Sequence, residues 1–485
     1  MAIETELKLE IAPEAAAFLE ASDLLSGSAH IVKQRAIYFD TPGKTLLSEG
    51  ISLRIRREGR KRIQTIKIAS GPAAGLFARS EWEMAVKNDE PVIDADGELA
   101  KLLGERASAL APAFEVLIER RTWMLQESES HIELVIDRGA AKVAGRESLV
   151  SEIELELKSG DPADLFSLAR KLDAIVPVRL AMLSKAERGY GLLGPAVEAR
   201  KAEPIPLDGE VIAAEAFRRI ALSCLRQYRL NEAVLLEAWQ SAALHQARVS
   251  LRRLRSAFTI FKPMLGGDRA DKFNAALRDL SAVLGQARNL DVLRDRCTVE
   301  PLRRRIDEAR VEAYARVKEE LASDHVRALM LDLLQWIDGR HWLRERESVG
   351  IQSRAGRDFA GEALDQLHRR IKKHGRRLKA GTDEDRHKVR KDAKKLRYAS
   401  DFFADFFDLP RQERKAAKFT KLLELLQEKL GTLNDHKTAQ ELIDSLDLHG
   451  QSGVVELLGE SRREKLIKRA DNAWEELIDL KRFWR

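Results

Sequence analysis

The chain has 485 residues, about three times the ~150 of a single domain, so at least two folded units with separate cores are expected. Hydrophobic residues make up 44% and charged residues 33%, which excludes a disordered tail, a collagen-like repeat and a membrane-spanning bundle. The net charge of +6 hides a division: residues 1–200 hold 27 Lys/Arg against 32 Asp/Glu, a balance of −5, and the remainder is +11. A basic half points to a polyanionic partner.

Two cysteines, Cys224 and Cys297, lie in helical stretches, so a secreted disulfide framework is not expected and the cytosol fits best. The first twenty residues carry five glutamates and no basic n-region, so they do not spell a signal peptide. No apolar run approaches the ~20 residues of a membrane helix.

From Ile3 to about Lys158 the chain alternates polar and apolar residues with period two between Gly, Pro and Asp turn signals. Eight strands are predicted, starting near Ile3, Gln34, Ile51, Lys61, Ala78, Phe114, His131 and Val150, with helices after Pro13 and at 162–174. Adjacent pairing of eight strands suggests an antiparallel barrel. Glu4, Glu6, Lys8 and Glu10 share one face of the first strand, and Glu152, Glu154 and Glu156 share one face of the last. Arg54 and Arg56, Lys67, and Glu81 with Glu83 are set out the same way. Two arrangements fit: a half-exposed sheet with its charges in water, or charges turned inward to make a polar lumen behind an apolar wall.

Residues 191–209 contain three prolines and mark a linker, with the domain limits placed at 1–200, 201–209 and 210–485. Beyond it, apolar residues recur at three- and four-residue spacing, so this half is helical. It contains a repeat: HQARVSLRRLRSAF from His245 and HKVRKDAKKLRYAS from His387, each followed by a second related pair, from Leu277 and Leu422. Two related helical bundles are expected, making the chain a multidomain α+β protein. At 100° per residue, His245, Arg248, Arg252 and Arg255 fall on one helix face and His387, Arg390, Lys394 and Arg397 on its counterpart. Each basic face is about 15 Å long, which suits a linear polyanion. Competing readings are solvated helix faces, a membrane surface and nucleic acid. The apolar faces are needed for the bundle, which disfavours a membrane. The absence of helix-turn-helix, zinc-finger or RNP signatures and the 6% aromatic content disfavour specific nucleic-acid binding.

The other histidines, His325, His341, His368, His374, His436 and His449, have no zinc-ligand spacing and are expected as surface or capping residues. Gly189, Gly191 and Gly194 spell GxGxxG, but no strand precedes them and Pro195 opens a Pro-rich stretch, so a dinucleotide site is not expected. For the charged strand faces, chemistry follows from charge. Several cations are needed to hold a triphosphate, and a divalent metal is needed to neutralise the reacting phosphoryl group. Glu4, Glu6, Glu154 and Glu156 supply oxygen ligands for Mg²⁺ or Mn²⁺. Lys8, Arg54, Arg56, Lys67, Arg79, Arg120 and Lys185 supply phosphate ligands.

Glu4-Thr5-Glu6-Leu7-Lys8 is an ExExK signature, followed by Tyr38-Phe39-Asp40-Thr41, Leu53-Arg54-Ile55-Arg56, Thr65-Ile66-Lys67, Glu81-Trp82-Glu83, Glu119-Arg120, Asp137-Arg138-Gly139, Glu154-Leu155-Glu156 and Ser184-Lys185. This ordered series resembles the CYTH superfamily, the triphosphate tunnel metalloenzymes. The duplicated HxxR blocks resemble the CHAD domain, a helical domain associated with polyphosphate binding, and Arg288-Asn289 departs from its usual Arg-Asp. The order CYTH then CHAD looks like bacterial inorganic triphosphatases. The resemblance implies an eight-stranded tunnel, with Glu4, Glu6 and Lys8 catalytic and Asp137 added to the metal-binding glutamates. Tripolyphosphate is the expected substrate, inorganic polyphosphate the expected partner, and the cytoplasm, with polyphosphate granules, the expected location. Thiamine triphosphatase, adenylate cyclase and a non-catalytic polyphosphate-binding scaffold are the alternatives. The sequence sets no oligomeric state.

Overall fold

The computed structural model describes residues 4–68, 74–94, 97–195, 197–343, 349–458 and 463–485. It separates into two compact units, one formed by residues 1–198 with 324–339 and the other by 199–323 with 340–485.

In the first unit the alternating segments become β1 (Glu4–Ile11), β2 (His30–Asp40), β3 (Ile51–Glu58), β4 (Lys61–Ile68), β5 (Leu76–Ala85), β6 (Ala111–Glu127), β7 (Ser130–Val143) and β8 (Arg146–Ser159). A ninth strand, β9 (Val178–Leu180), pairs with β1. Its three residues are too few to show an alternation, so eight strands rather than nine were expected from the sequence. All pairings are antiparallel, in the order β5-β4-β3-β2-β6-β7-β8-β1-β9, and β5 also pairs with β1.

One face of this sheet is apolar: Leu7, Leu9, Leu53, Ile55, Leu134, Ile136, Ile153 and Leu155 are all buried. Helices of eight residues or more are numbered in chain order. The helices α1 (Pro13–Glu20) and α2 (Ala163–Ile175) belong to this unit, and α2 lies against β1, β6 and β8 with Leu165, Leu168 and Leu172 buried. Helix α3 (Lys185–Leu192) instead covers the other face, where Tyr190 packs among Ala36, Tyr38, Phe114, Val116 and Val150.

The sequence assigned residues 324–338 to the helical half, but this helix packs in the first unit. Its apolar stripe, including Val326, Leu329, Met330, Leu333 and Leu334, meets α2 and β9. Arg327 donates to Asp173 at 2.6 Å and Arg170 to Asp332 at 2.5 Å, fixing both ends. The stripe marks a helix without stating which surface it covers.

The second unit holds α4 (Ala213–Glu237), α5 (Ser241–Ile260), α6 (Asp268–Arg296) and α7 (Glu300–Ala322), and later α9 (Gly356–Gly375), α10 (Asp383–Phe402), α11 (Pro410–Ser445) and α12 (Arg463–Asp479); α8 is the helix Asp324–Asp338 of the first unit. Helix α5 lies between α4 and α6, α10 between α9 and α11, and the two triplets meet like against like, α4 on α9 and α5 on α10. Residues 201–209 are irregular but not free: Ile205 and Leu207 are buried, and the Leu207 N–H donates to Asp405 at 3.2 Å. Cys224 and Cys297 are both free and buried. No helix among the described residues is long and apolar enough to cross a membrane.

Candidate functional site

Strand register decides where the charges go. Glu6 is opposite Glu156, and Lys8 is opposite Glu154. Glu154 and Glu152 lie two apart on one face of β8, Glu152 is opposite Asp137, and Asp137 is opposite Arg120. Beyond β6 the same face carries Tyr38, opposite Arg54; then Ser52, opposite Lys67; then Glu81, opposite Lys67, and Glu83. Register returns to Glu4 through Arg79. The side chains of Glu4 and Arg79 lie outside the described part of the structure. Glu6, Lys8, Tyr38, Ser52, Arg54, Arg56, Lys67, Glu81, Glu83, Arg120, Glu133, Glu154, Glu156, Ser184, Lys185 and Ala186 line one cavity of about 420 Å³.

At its deepest part the charges are paired. Lys185 donates to Asp137 at 2.7 Å, Glu152 at 2.5 Å and Glu154 at 2.9 Å. Arg120 reaches Asp137 at 2.6 Å and Glu154 at 2.8 Å, and Lys8 bonds Glu154 and lies 3.5 Å from Glu6. Burial alone would drive each of these groups toward its neutral form. The neighbours outweigh it: the surrounding carboxylates raise Lys8 and Lys185, while Lys185, Lys8 and Arg120 hold Glu154 well below the usual carboxylate range. Asp137 is likewise held down against burial by Lys185 and Arg120.

Near Lys67 and Arg56 the pairing is looser. Lys67 meets Glu81 at 2.6 Å, but Arg54 is 3.9 Å from Glu81 and Arg56 is 3.5 Å from Glu83. The Nε atoms of Arg54 and Arg56 are buried without hydrogen-bond partners, and burial together with Arg54 lowers Arg56. These two guanidiniums have donors to spare.

Lys185 enters the cavity because of how α3 is built. Ser184 and Glu187 form a capping box, with the Glu187 N–H donating to Ser184 Oγ at 3.2 Å and the Ser184 N–H to the Glu187 carboxylate at 2.8 Å. Gly189 rests on Phe114 so closely that a Cβ there would lie 2.0 Å from the ring. That contact accounts for the first glycine of the GxGxxG string. Tyr190 then donates from its hydroxyl to buried Asp40 at 2.8 Å.

The helical unit concentrates charge differently. Where α5 meets α10, burial and then Arg252, Arg390 and Arg248 depress Lys394 to about 7. Arg248 is lowered to about 10 by burial and by Arg252, Arg288 and Arg390, and His245 to about 4 by burial, Arg288, Arg252 and Arg248. Arg390 is lowered by burial and Arg252, against the opposing pull of Asp435. The Nε atoms of Arg252 and Arg390 are buried without partners. The repeated faces therefore meet at a crowded, under-neutralised cluster. Arg255 and Arg397 are engaged elsewhere, with Asn274 at 3.2 Å and with Gln427 at 3.2 Å. His387 lines a second cavity, of about 550 Å³, with Arg390, Asn434, His436 and Lys437.

Residues 2–190 match the CYTH domain and residues 219–444 the CHAD domain. The chain carries a CYTH domain followed by a CHAD domain. It is 32% identical over 196 residues to the inorganic triphosphatase of Haemophilus influenzae, an alignment covering 39% of this chain and only 55% of that relative. An uncharacterised Mycobacterium tuberculosis protein is 28% identical over 405 residues, 75% of each chain. Among solved structures, the CHAD domain of Ricinus communis aligns at 24% identity and a TM-score of 0.46, covering 57% of this chain and 90% of that one. A Hippeastrum structure described as having a dominant triphosphatase activity aligns at 17% identity and a TM-score of 0.30, covering 39% and 95%.

In the CYTH domain a carboxylate cluster suits a hard cation. Asp137, Glu152 and Glu154 bring ligand oxygens within 4.8 Å of one another, and Glu152 Oε2 is buried without a hydrogen-bond partner. Glu152 was left out of the predicted metal set, although its place on the Glu154 face was evident. Glu133, Ser52 and Tyr38 were also not named as site residues: Glu133 shares its β7 face with His131, Val135 and Asp137, a mixed face that does not single it out. In the CHAD domain Arg288 was missed as a member of the cluster; it donates to Ser241 at 3.0 Å and lies 3.8 Å from Asp291, which also accepts from Arg310 at 2.8 Å and Tyr314 at 2.9 Å. His368, expected at the surface, is buried beside Phe419 and Trp484 and is lowered to about 4 by burial, Arg482 and Lys372.

Proposed function

We propose that the CYTH domain hydrolyses tripolyphosphate to diphosphate and phosphate with Mg²⁺ or Mn²⁺, and that the CHAD domain binds inorganic polyphosphate. The observation that carries this reading is a cavity in which twelve of the sixteen lining residues are charged, with cations and carboxylates on one sheet face. The pairing of β5 with β1 supports an eight-stranded tunnel with β9 outside it. Arg54, Arg56 and Lys67 have the donors for phosphate oxygens. Glu4, Glu6, Asp137, Glu154 and Glu156, joined by Glu152, would hold the cation. That cation supplies charge neutralisation at the transferred phosphoryl group and makes a bound water more acidic. Glu6, only 3.5 Å from Lys8 and otherwise facing the cavity, is the residue we assign to accept the water's proton.

An inorganic substrate is favoured over thiamine triphosphate or ATP by the lining. Among the described lining residues Tyr38 is the single aromatic side chain, and its ring is already stacked on Phe114 at 4.6 Å. Among the described residues no apolar platform of the size of an adenine or thiazole ring is left. In the CHAD domain the meeting of Arg248 and Arg252 with Arg390 and Lys394 supports a site for a chain of phosphates, and such binding would recruit the protein to polyphosphate granules.

The test offers purified protein with Mg²⁺ or Mn²⁺ each of tripolyphosphate, thiamine triphosphate and ATP, and measures released phosphate and cyclic AMP. Fastest phosphate release from tripolyphosphate is expected. Turnover of none of the three would overturn the assignment and leave a polyphosphate-binding scaffold.

A further inference from the structure

The opening motif occurs a second time. Glu154-Leu155-Glu156-Leu157-Lys158 on β8 spells the same ExExK as Glu4-Thr5-Glu6-Leu7-Lys8 on β1. The strands are antiparallel with Glu6 opposite Glu156 and Lys8 opposite Glu154, so the two motifs are related by a local two-fold centred on the Glu6–Glu156 pair. On the far side of β8, Glu133 is opposite Glu156. Three carboxylates thus stand side by side across three strands, an arrangement that is unfavourable unless a cation neutralises it.

Each motif lysine answers this in the same way. Lys8 meets its own-strand Glu6 and the cross-strand Glu154; Lys158 meets its own-strand Glu156 at 2.6 Å and the cross-strand Glu133 at 3.2 Å. Their surroundings differ. The Lys8 side chain is 8% exposed, and that of Lys158 is 38% exposed. A buried ammonium among carboxylates has no solvated state to move to, whereas a half-exposed one can leave its partners and be hydrated.

We propose that Lys158 is an exchangeable internal counter-ion: it neutralises Glu156 and Glu133 when no metal is bound, is displaced by the divalent cation, and thereby sets the metal affinity, with Glu133 a further carboxylate of the metal site. This rests on the metal-dependent reading given above. It makes Lys158 a competitor of the metal and Lys8 a fixed part of the framework, although both occupy the same place in the same motif.

The test is Mn²⁺ binding to the full chain by calorimetry, without substrate, on the wild type and on Lys158→Met, Lys158→Arg and Glu133→Gln. Lys158→Met should bind Mn²⁺ roughly three- to fivefold more tightly, the change that loss of a half-exposed ion pair supplies. Lys158→Arg, which keeps the charge, should stay near the wild type, and Glu133→Gln should bind more weakly. Adding Glu133→Gln to Lys158→Met should cancel most of the gain. Unchanged or weaker binding by Lys158→Met beside normal wild-type binding would overturn the counter-ion assignment alone. Absence of Mn²⁺ binding in the wild type would overturn the metal-dependent reading with it. Lys158→Arg retains the aliphatic stem and charge, so it controls for misfolding.

Discussion

The two domains both bury charge, and they do it in opposite ways. In the CYTH domain Lys8, Arg120 and Lys185 are surrounded by Asp137, Glu152 and Glu154, and their cationic forms are favoured despite burial. In the CHAD domain Arg248, Arg390 and Lys394 crowd one another and are all pushed toward neutrality. A balanced cavity can take up a cation and an anion together, which is what metal-assisted phosphoryl transfer requires. An unbalanced cluster has one sign to offer and can only recruit the opposite charge. The contrast is what the proposed division of labour, chemistry in one domain and retention in the other, requires.

The largest effect that would break this contrast is expected from Glu6→Gln. It removes a carboxylate from the cavity without changing side-chain volume, and should lower metal-dependent phosphate release on the order of 10²–10³-fold while leaving polyphosphate retention intact. Phosphate assays and a polyphosphate retention assay on one preparation check both halves. Equal loss of both activities would show that the domains do not divide the work.

Next comes charge reversal of Arg248, Arg252, Arg390 and Lys394 to Glu. Polyphosphate affinity should fall about 100-fold or more, and its salt dependence should flatten because fewer counterions are released. Tripolyphosphate turnover should stay within about twofold of the wild type. Unchanged retention would refute the assigned surface.

Much of the contrast was legible in the sequence because strand and helix periodicities put like residues on one face: Glu4, Glu6 and Lys8 on β1, and His245, Arg248 and Arg252 on α5. Period two tells which residues share a face but not whether that face turns inward. The register of Glu6 with Glu156 and of Asp137 with Glu152 was needed for that. Lys185 was named as a phosphate ligand from its charge and its place in the family series, but it comes from a helix rather than a strand, so no strand alternation put it on the cavity face. What aims it into the cavity is the Gly189 contact with Phe114, a long-range fit with no local signature. The helix 324–338 was placed in the wrong unit for a related reason. Its stripe names a buried side but not the partner, and the partner is α2, more than a hundred residues earlier.

The domains should also respond to pH in different windows. Lys394 titrates near 7 in the folded CHAD domain, below its ordinary 10.5, so the unfolded chain binds more protons between those values and stability rises with pH across that window. The destabilising effect of its charge is fully present below about 7. Bound polyphosphate favours the ammonium, so binding takes up a proton above pH 7 and affinity should fall by up to about tenfold per unit as pH rises beyond it. The charges facing Lys394 are Arg248 and Arg252 from α5, Arg390 from its own helix and Asp435 from α11. Lys394→Arg should flatten the profile, and a profile already flat in the wild type would remove Lys394 from the site. In the CYTH domain Asp137 and Glu154 are depressed, so their contribution is present above ~4 and is lost as pH falls through their folded values. Acid should therefore melt the CYTH domain while polyphosphate still holds the CHAD domain together.

The smallest expected effect separates a support from a participant. Tyr190→Phe deletes the hydroxyl that donates to Asp40 but keeps the ring on Phe114. Asp40 retains the backbone N–H groups of Thr41 at 2.7 Å, Leu46 at 2.9 Å and Leu47 at 3.1 Å, so its carboxylate is not orphaned. The cost should be about 1.5–2 kcal/mol, typical of a lost hydrogen bond to a charged group, seen as a lower melting temperature of the CYTH domain. Turnover should fall less than about threefold, because the capping box and the three carboxylates around Lys185 still position that ammonium. A hundredfold loss of turnover with normal stability would mean that Tyr190 sets the depth of Lys185 in the cavity, and the balance of charge there would then depend on α3 as much as on the sheet.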